Sequence, residues 1–173
     1  MSKINATFDI ENKEWNIETV EPNPMHSDLN IIFTSSVEVV KFNNLAFGAS
    51  VTSNEQPVLS QFFPTYGVTY DSSASGSVFE KLGWSCTPET EYIISLWAEI
   101  AGEKTEISYT VTSPRTEQPF PSWTWDSTTK IWNPPIPRPE NAVKEWNEEI
   151  GDWQDVVATI PDTVPTPFPV TPQ

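Results

Sequence analysis

The sequence predicts an all-β protein, a sandwich or barrel of short strands with aromatic β-hairpins at both ends. Three observations carry this. Apolar residues alternate with polar ones at 29–33, 37–42, 45–51, 66–70, 78–82, 92–100 and 107–111, a period of two that turns one face of each segment toward a core. Turn-forming residues punctuate these stretches, as at Asn43-Asn44, Ser53-Asn54, Asp71-Ser72-Ser73 and Gly83. No segment before Pro139 follows the 3.6-residue period of a helix.

The first element is a hairpin within residues 1–26, in which Phe8-Asp9 and Trp15 stand seven residues apart. The same spacing recurs at Trp125-Asp126 with Trp132 and at Trp146-Asn147 with Trp153. Across a four-residue loop, residues seven apart face each other on one side of a hairpin. A ring pair there adds about 0.5–1.5 kcal/mol beyond burial. The Asp or Asn opens the turn by accepting from backbone two residues on. The late loop position, which often needs a positive φ, carries Lys13, Lys130 and Gly151.

Residues 27–113 form the central sandwich. Its best-defined strand pair is 91–100 with 105–112, joined around Ala101-Gly102-Glu103-Lys104. Tyr92, Ile94, Leu96 and Ala98 share one face, and Ile107, Tyr109 and Val111 continue it on the partner strand. The run Pro88-Glu89-Thr90-Glu91-Tyr92 resembles the entry to the penultimate strand of fibronectin type III and other immunoglobulin-like domains. That resemblance implies an immunoglobulin-like sandwich in which the tyrosine hydroxyl bonds backbone at the corner.

Residues 114–159 are organised differently. Most of the 17 prolines lie from Pro114 onward, against only six glycines in the chain, a composition of stiff extended segments rather than flexible linker. The middle hairpin, Trp123-Thr124-Trp125-Asp126-Ser127-Thr128-Thr129-Lys130-Ile131-Trp132, resembles the C-terminal hairpin of the immunoglobulin-binding domain of protein G. That likeness implies a local conformation and not antibody binding. Residues 140–157 admit two readings. Val143, Trp146, Ile150, Trp153 and Val157 follow a helical heptad, while Gly151 costs a helix interior about 1 kcal/mol and suits a hairpin turn. The hairpin is favoured. Residues 160–173 read as an extended proline-rich arm.

The order Pro119-Phe120-Pro121-Ser122-Trp123, then Trp132-Asn133-Pro134-Pro135-Ile136-Pro137-Arg138-Pro139, then Trp146-Asn147-Glu148-Glu149 and Trp153 resembles a Trp/Pro module of small structural proteins in marine tailed phages, cyanophages especially. The likeness covers about residues 119–156. It departs from the family in lacking a cysteine before the middle tryptophan and in the extra residues from Ile160. It implies a virion component, with capsid decoration as the leading role and tail or fibre attachment as the alternative.

Composition narrows the chemistry. Nine basic against 24 acidic side chains give a net charge of −15, which opposes phosphate backbones and anionic lipid, so nucleic acid and membrane are excluded as partners. No apolar run is long enough to span a bilayer, and no basic-then-apolar leader follows Met1, so synthesis in the host cytoplasm without a signal peptide and residence in the virion are expected. Cys86 and His26 are single residues of their kind. This disfavours disulfides, thiolate or histidine metal sites and a Cys–His dyad. Glu148-Glu149 with Asp152 and Asp155 lack a calcium-loop pattern and read as a solvated face. No nucleophile elbow, phosphate loop or metalloprotease motif occurs, so the chain reads as non-enzymatic, with no catalytic residue, metal or cofactor.

Ordering a residue costs about 1–2 kcal/mol, and isolated hairpins are marginal in water. The tail is therefore expected to close on another surface, supplied by a major capsid or tail protein or by sister copies in a homo-oligomer. Trp123, Trp125, Trp132, Pro134, Pro135, Trp146, Trp153 and Phe168 are the expected partner-binding residues. Most of the eight tryptophans read as cross-strand or core partners. Trp84 and Trp97 are the candidates for stacking on a surface glycan, which would make the chain a carbohydrate-binding module for host adhesion. A fibre-assembly chaperone is a third reading.

Overall fold

The computed structural model describes residues 2–20, 23–36, 39–41, 44–65, 69–71, 78–140 and 142–156. All regular elements among them are strands. Contacts divide the chain into a first unit, 1–117 with the hairpin tip 126–131, and a second, 118–125 with 132–173.

In the first unit, β1 (Ser2–Asp9), β2 (Glu14–Thr19), β3 (His26–Thr34) and β8 (Glu80–Ser85) form a sheet in the order β2-β1-β3-β8. The strands β5 (Leu45–Ser53), β6 (Gln56–Thr65), β9 (Glu91–Ile100) and β10 (Glu103–Thr112) form a second, ordered β10-β9-β5-β6. The short strands β4 (Val39–Lys41) and β7 (Thr69–Asp71) pair with each other. The result is a β-sandwich-like architecture.

Alternation builds its core. Ile4, Ala6 and Phe8 of β1 and Leu29, Ile31 and Phe33 of β3 are buried together with Leu45, Phe47, Ala49 and Val51 of β5 and Tyr92, Ile94, Leu96 and Ala98 of β9. Each large side chain so buried contributes about 1.5–3 kcal/mol. Phe33 is the hub, with ring centroids 5.8 Å from Phe8, 5.2 Å from Phe47 and 5.1 Å from Phe79. The face expected on the 91–112 hairpin is the inward one, with Ile107 and Tyr109 half-buried against the core and Val111 buried.

The N-terminal hairpin, expected to flank the sandwich, instead supplies half of the first sheet. β1 pairs antiparallel with β2 and parallel with β3, in the register Ile4↔Leu29, Ala6↔Ile31 and Phe8↔Phe33. The pairing is possible because Ile4, Ala6 and Phe8 continue the apolar face of β3. On the outer side, β2 is sewn to the edge of β10. The Trp15 indole N–H donates to the Thr105 carbonyl (3.3 Å), Lys13 pairs with Glu103, and the Thr19 and Tyr109 hydroxyls lie 3.4 Å apart. Two strand edges that would otherwise be open cover each other.

One strand lies outside the stretches read from sequence, and one expected turn is corrected. Residues 56–65 form a full strand, although Pro57 and Pro64 break its pattern. Proline removes a ladder donor, and β6 tolerates two because it lies at the sheet edge. Gly83, expected in a turn, lies inside β8, where a Cβ would come within 2.8 Å of the His26 ring. Asn43 and Ser72-Ser73 of the expected turns lie outside the described residues, and two other turns match expectation. Asn54 and Glu55 (φ 48° and 61°) close β5–β6, and Ala101 and Gly102 (φ 51° and 83°) close β9–β10, as two-residue hairpins with positive φ at both positions do.

At the entry to β9, the Thr87 N–H donates to the Tyr92 hydroxyl at 2.7 Å. The buried Ser113 hydroxyl accepts from the Thr90 N–H (3.0 Å) and donates to the Thr87 carbonyl (2.5 Å). The backbone at this corner is thus held by two side chains from the neighbouring strands.

The hairpins β11 (Thr124–Asp126) with β12 (Ile131–Asn133) and β13 (Lys144–Asn147) with β14 (Asp152–Asp155) complete the described chain. Residues 144–155 are an antiparallel pair with Trp146 opposite Trp153, so the helical alternative for 140–157 is not adopted there. The proline-rich arm 160–173 lies outside the described residues.

Candidate binding surfaces

The three aromatic hairpins share one construction. Asp9 Oδ1 accepts from the N–H groups of Glu11 and Asn12, Asp126 Oδ1 from Thr128 and Thr129, and Asn147 Oδ1 from Glu149 and Ile150. The loop then closes through Lys13, Lys130 and Gly151, whose φ angles are 54°, 59° and 65°. Across each hairpin the rings meet, at 5.0 Å for Phe8–Trp15, 5.4 Å for Trp125–Trp132 and 5.5 Å for Trp146–Trp153. The backbone N–H groups hold the Asp9 and Asp126 carboxyls below the usual aspartate range, led by those of Asn12 and Thr128.

In the second unit the β13–β14 hairpin is the centre of a tryptophan cluster. Trp123 lies 6.2 Å from both Trp146 and Trp153, and Phe120 lies 5.5 Å from Trp123. Glu148 ties it together. Its carboxylate accepts from the Trp146 indole N–H (2.7 Å), the Ser122 hydroxyl (2.7 Å) and the Ser122 backbone N–H (2.8 Å). These donors, Trp146 first, hold its pKa below the usual glutamate range. Glu148, read from sequence as part of a solvated acidic face, is therefore a structural acceptor. The proline run joins the cluster through Trp153, whose indole N–H donates to the Ile136 carbonyl at 2.8 Å. The Arg138 guanidinium lies 5.6 Å from the centre of the Trp153 ring and donates to the Lys144 carbonyl at 3.1 Å.

Of the expected partner-binding residues, Trp123, Trp146 and Trp153 come together, and Trp125 pairs with Trp132. Trp146 is buried, Pro134 half-buried and Pro135 exposed. Phe168 lies outside the described residues. In the same unit Val143, Ile150, Val156 and Ile136 are exposed, Val143 by 78%.

The glycan candidates separate. Trp84 is 4% exposed and packs on Tyr92 at 6.2 Å, which removes it as a stacking platform. Its position on β8 has the same parity as Leu82, so it points inward. Trp97 has the opposite parity to Leu96 and Ala98 and stands on the outer face of the second sheet. It is half-buried beside Phe62, with ring centroids 5.5 Å apart and planes at 25°. Sequence reading missed Phe62 because its strand was missed. It also passed over Gly48, a glycine inside an alternating strand, which marks a close approach.

Cys86 is buried, with its thiol 3.1 Å from the Ser27 hydroxyl and its pKa raised by burial, while His26 pairs with Asp28 at 2.9 Å. No group of three or more potential metal ligands occurs among the described residues. Comparison with protein-family models, with curated proteins and with solved structures finds no match for the chain.

Proposed function

We propose that the chain is a structural component of a tailed-phage virion, an immunoglobulin-like sandwich that decorates the capsid through the Trp/Pro module at 119–156. One observation carries the assembly role. Among the described residues of 118–156 Trp146 alone is buried, its indole N–H held by Glu148, while Val143, Ile150 and Val156 of the same unit are 78%, 63% and 46% exposed. A small unit with little core and several exposed apolar side chains suits closure on a partner surface. The partners are major capsid or tail proteins and sister copies, and the role is structural rather than catalytic.

The immunoglobulin-like reading rests on two features. The order β10-β9-β5-β6 opposite the β3–β8 pair fits the arrangement in which strands G, F, C and C′ face B and E. The Tyr92 hydroxyl at the entry to β9 fits the tyrosine corner of such domains. A net charge of −15 keeps the particle surface away from nucleic acid and anionic lipid.

Mass spectrometry of purified particles tests the proposal, which expects the protein in mature virions. Its absence there would sink the structural reading and favour a fibre-assembly chaperone. Antibody labelling in electron micrographs separates capsid decoration from the alternative, tail or fibre attachment.

A further inference from the structure

We propose that the outer face of the β10-β9-β5-β6 sheet binds a neutral oligosaccharide, with Phe62 and Trp97 as the stacking surface and a row of serine hydroxyls beside them. This goes beyond the assembly role and does not depend on it.

The register places the groups. Ser108, Ser95, Ser50 and Ser60 are successive cross-strand partners, so four hydroxyls run straight across the sheet. The next outward row, by the same pairings, is Glu106, Trp97, Gly48 and Phe62. Strands about 4.8 Å apart and rows about 6.8 Å apart match the scale of a hexose ring. Gly48 makes room for the indole: a Cβ there would come within 2.5 Å of Trp97 Nε1. Trp97 therefore reaches over Gly48 to Phe62, and Phe62 remains 57% exposed.

Stability does not account for this face. A glycine inside a strand costs about 0.5–1 kcal/mol, and an exposed phenylalanine on an edge strand invites aggregation. The chemistry instead fits a polyol. Aromatic faces are electron-rich and attract the electropositive C–H face of a sugar, and serine hydroxyls both donate to and accept from sugar hydroxyls. Protein interfaces are depleted in serine, and Pro57 and Pro64 on β6 oppose strand addition at this edge. Lys104 lies 5.0 Å from the Trp97 centroid and is paired with Glu106 at 2.5 Å. An anionic glycan would meet an acidic protein with that lysine already neutralised.

The test uses the full-length protein on an array of cellohexaose, laminarihexaose, maltohexaose and xylohexaose, with heparin hexasaccharide as the anionic control. Retention on at least one neutral oligomer and none on heparin is expected, with affinity unchanged by salt. In calorimetry Phe62→Ala weakens binding about ten-fold or more, while the melting temperature falls by only a few degrees, the worth of one ring contact on a mostly exposed side chain. Gly48→Ala, which displaces the indole, weakens it too. Absence of neutral binding, preference for heparin, or unaltered affinity in Phe62→Ala overturns the proposal. So does a concentration-dependent dimer in sedimentation that Phe62→Ala abolishes, since the face would then serve a second copy. Virion mass spectrometry reads the assembly role separately.

Discussion

Replacing Tyr92 by phenylalanine tests how much the corner at the β9 entry contributes. The ring is 4% exposed and packs on Trp84, and phenylalanine keeps that packing while deleting one acceptor. The Thr87 N–H, 2.7 Å from the hydroxyl, loses its partner in a partly buried corner. A net hydrogen bond is worth about 0.5–1.5 kcal/mol, and an unsatisfied donor costs about 1–3. Because Thr87 is itself exposed, water recovers part of the loss, and about 1–2 kcal/mol is expected. For a unit of this size that lowers the melting temperature by about 4–8 °C. Urea unfolding followed by circular dichroism should show a lower midpoint at unchanged slope. Ser113→Ala removes the second brace, and because both braces grip Thr87 the double variant should show a coupling of at least about 0.5 kcal/mol. A Tyr92→Phe effect near zero, or strict additivity, would refute the idea that the two side chains hold one corner.

Three other outcomes are expected. Glu148 has a folded-state pKa below its ordinary 4.5, so its stabilisation is complete above that value and is lost as pH falls through the depressed one; near-UV circular dichroism should lose tryptophan signal in acid, and Glu148→Gln should flatten that limb. Phe33→Ala opens the centre of the aromatic core and should destabilise by about 3–5 kcal/mol in denaturant titration. Gly151→Ala places a Cβ at φ 65° and should cost about 1 kcal/mol, seen as an earlier loss of the Trp146–Trp153 signal on heating.

Local chemistry was readable in the sequence, and non-local pairing was not. The hairpins could be read because each packs its instructions into eight residues: an aromatic, an Asp or Asn beside it, a positive-φ loop position and a second aromatic. Tyr92 could be read because its corner lies within five residues. β6 was hidden by Pro57 and Pro64, whose tolerance depends on an edge position that no local pattern encodes. The inward turn of Trp84 and the outward turn of Trp97 are matters of parity, legible for Trp97 within a long alternating run and lost for Trp84 in the short one. Glu148 looked like one acid among several, since its donor Ser122 stands 26 residues away in sequence and reaches it only in the folded unit. The parallel pairing of β1 with β3 left no sequence signal beyond compatible apolar faces.

That parallel pairing changes what failure would look like. Fraying usually begins at an outer strand and leaves the remainder joined. Here β1 is an interior rung, hydrogen-bonded on one side to β2 and on the other to β3. A break in it would cut β2 loose and unseat the seam that Trp15 and Lys13 make with β10, opening the sandwich from both sides at once. The eight residues of β1 therefore act as a keystone rather than a border, and substitutions there should be less tolerated than those in the proline-bearing edge of β6.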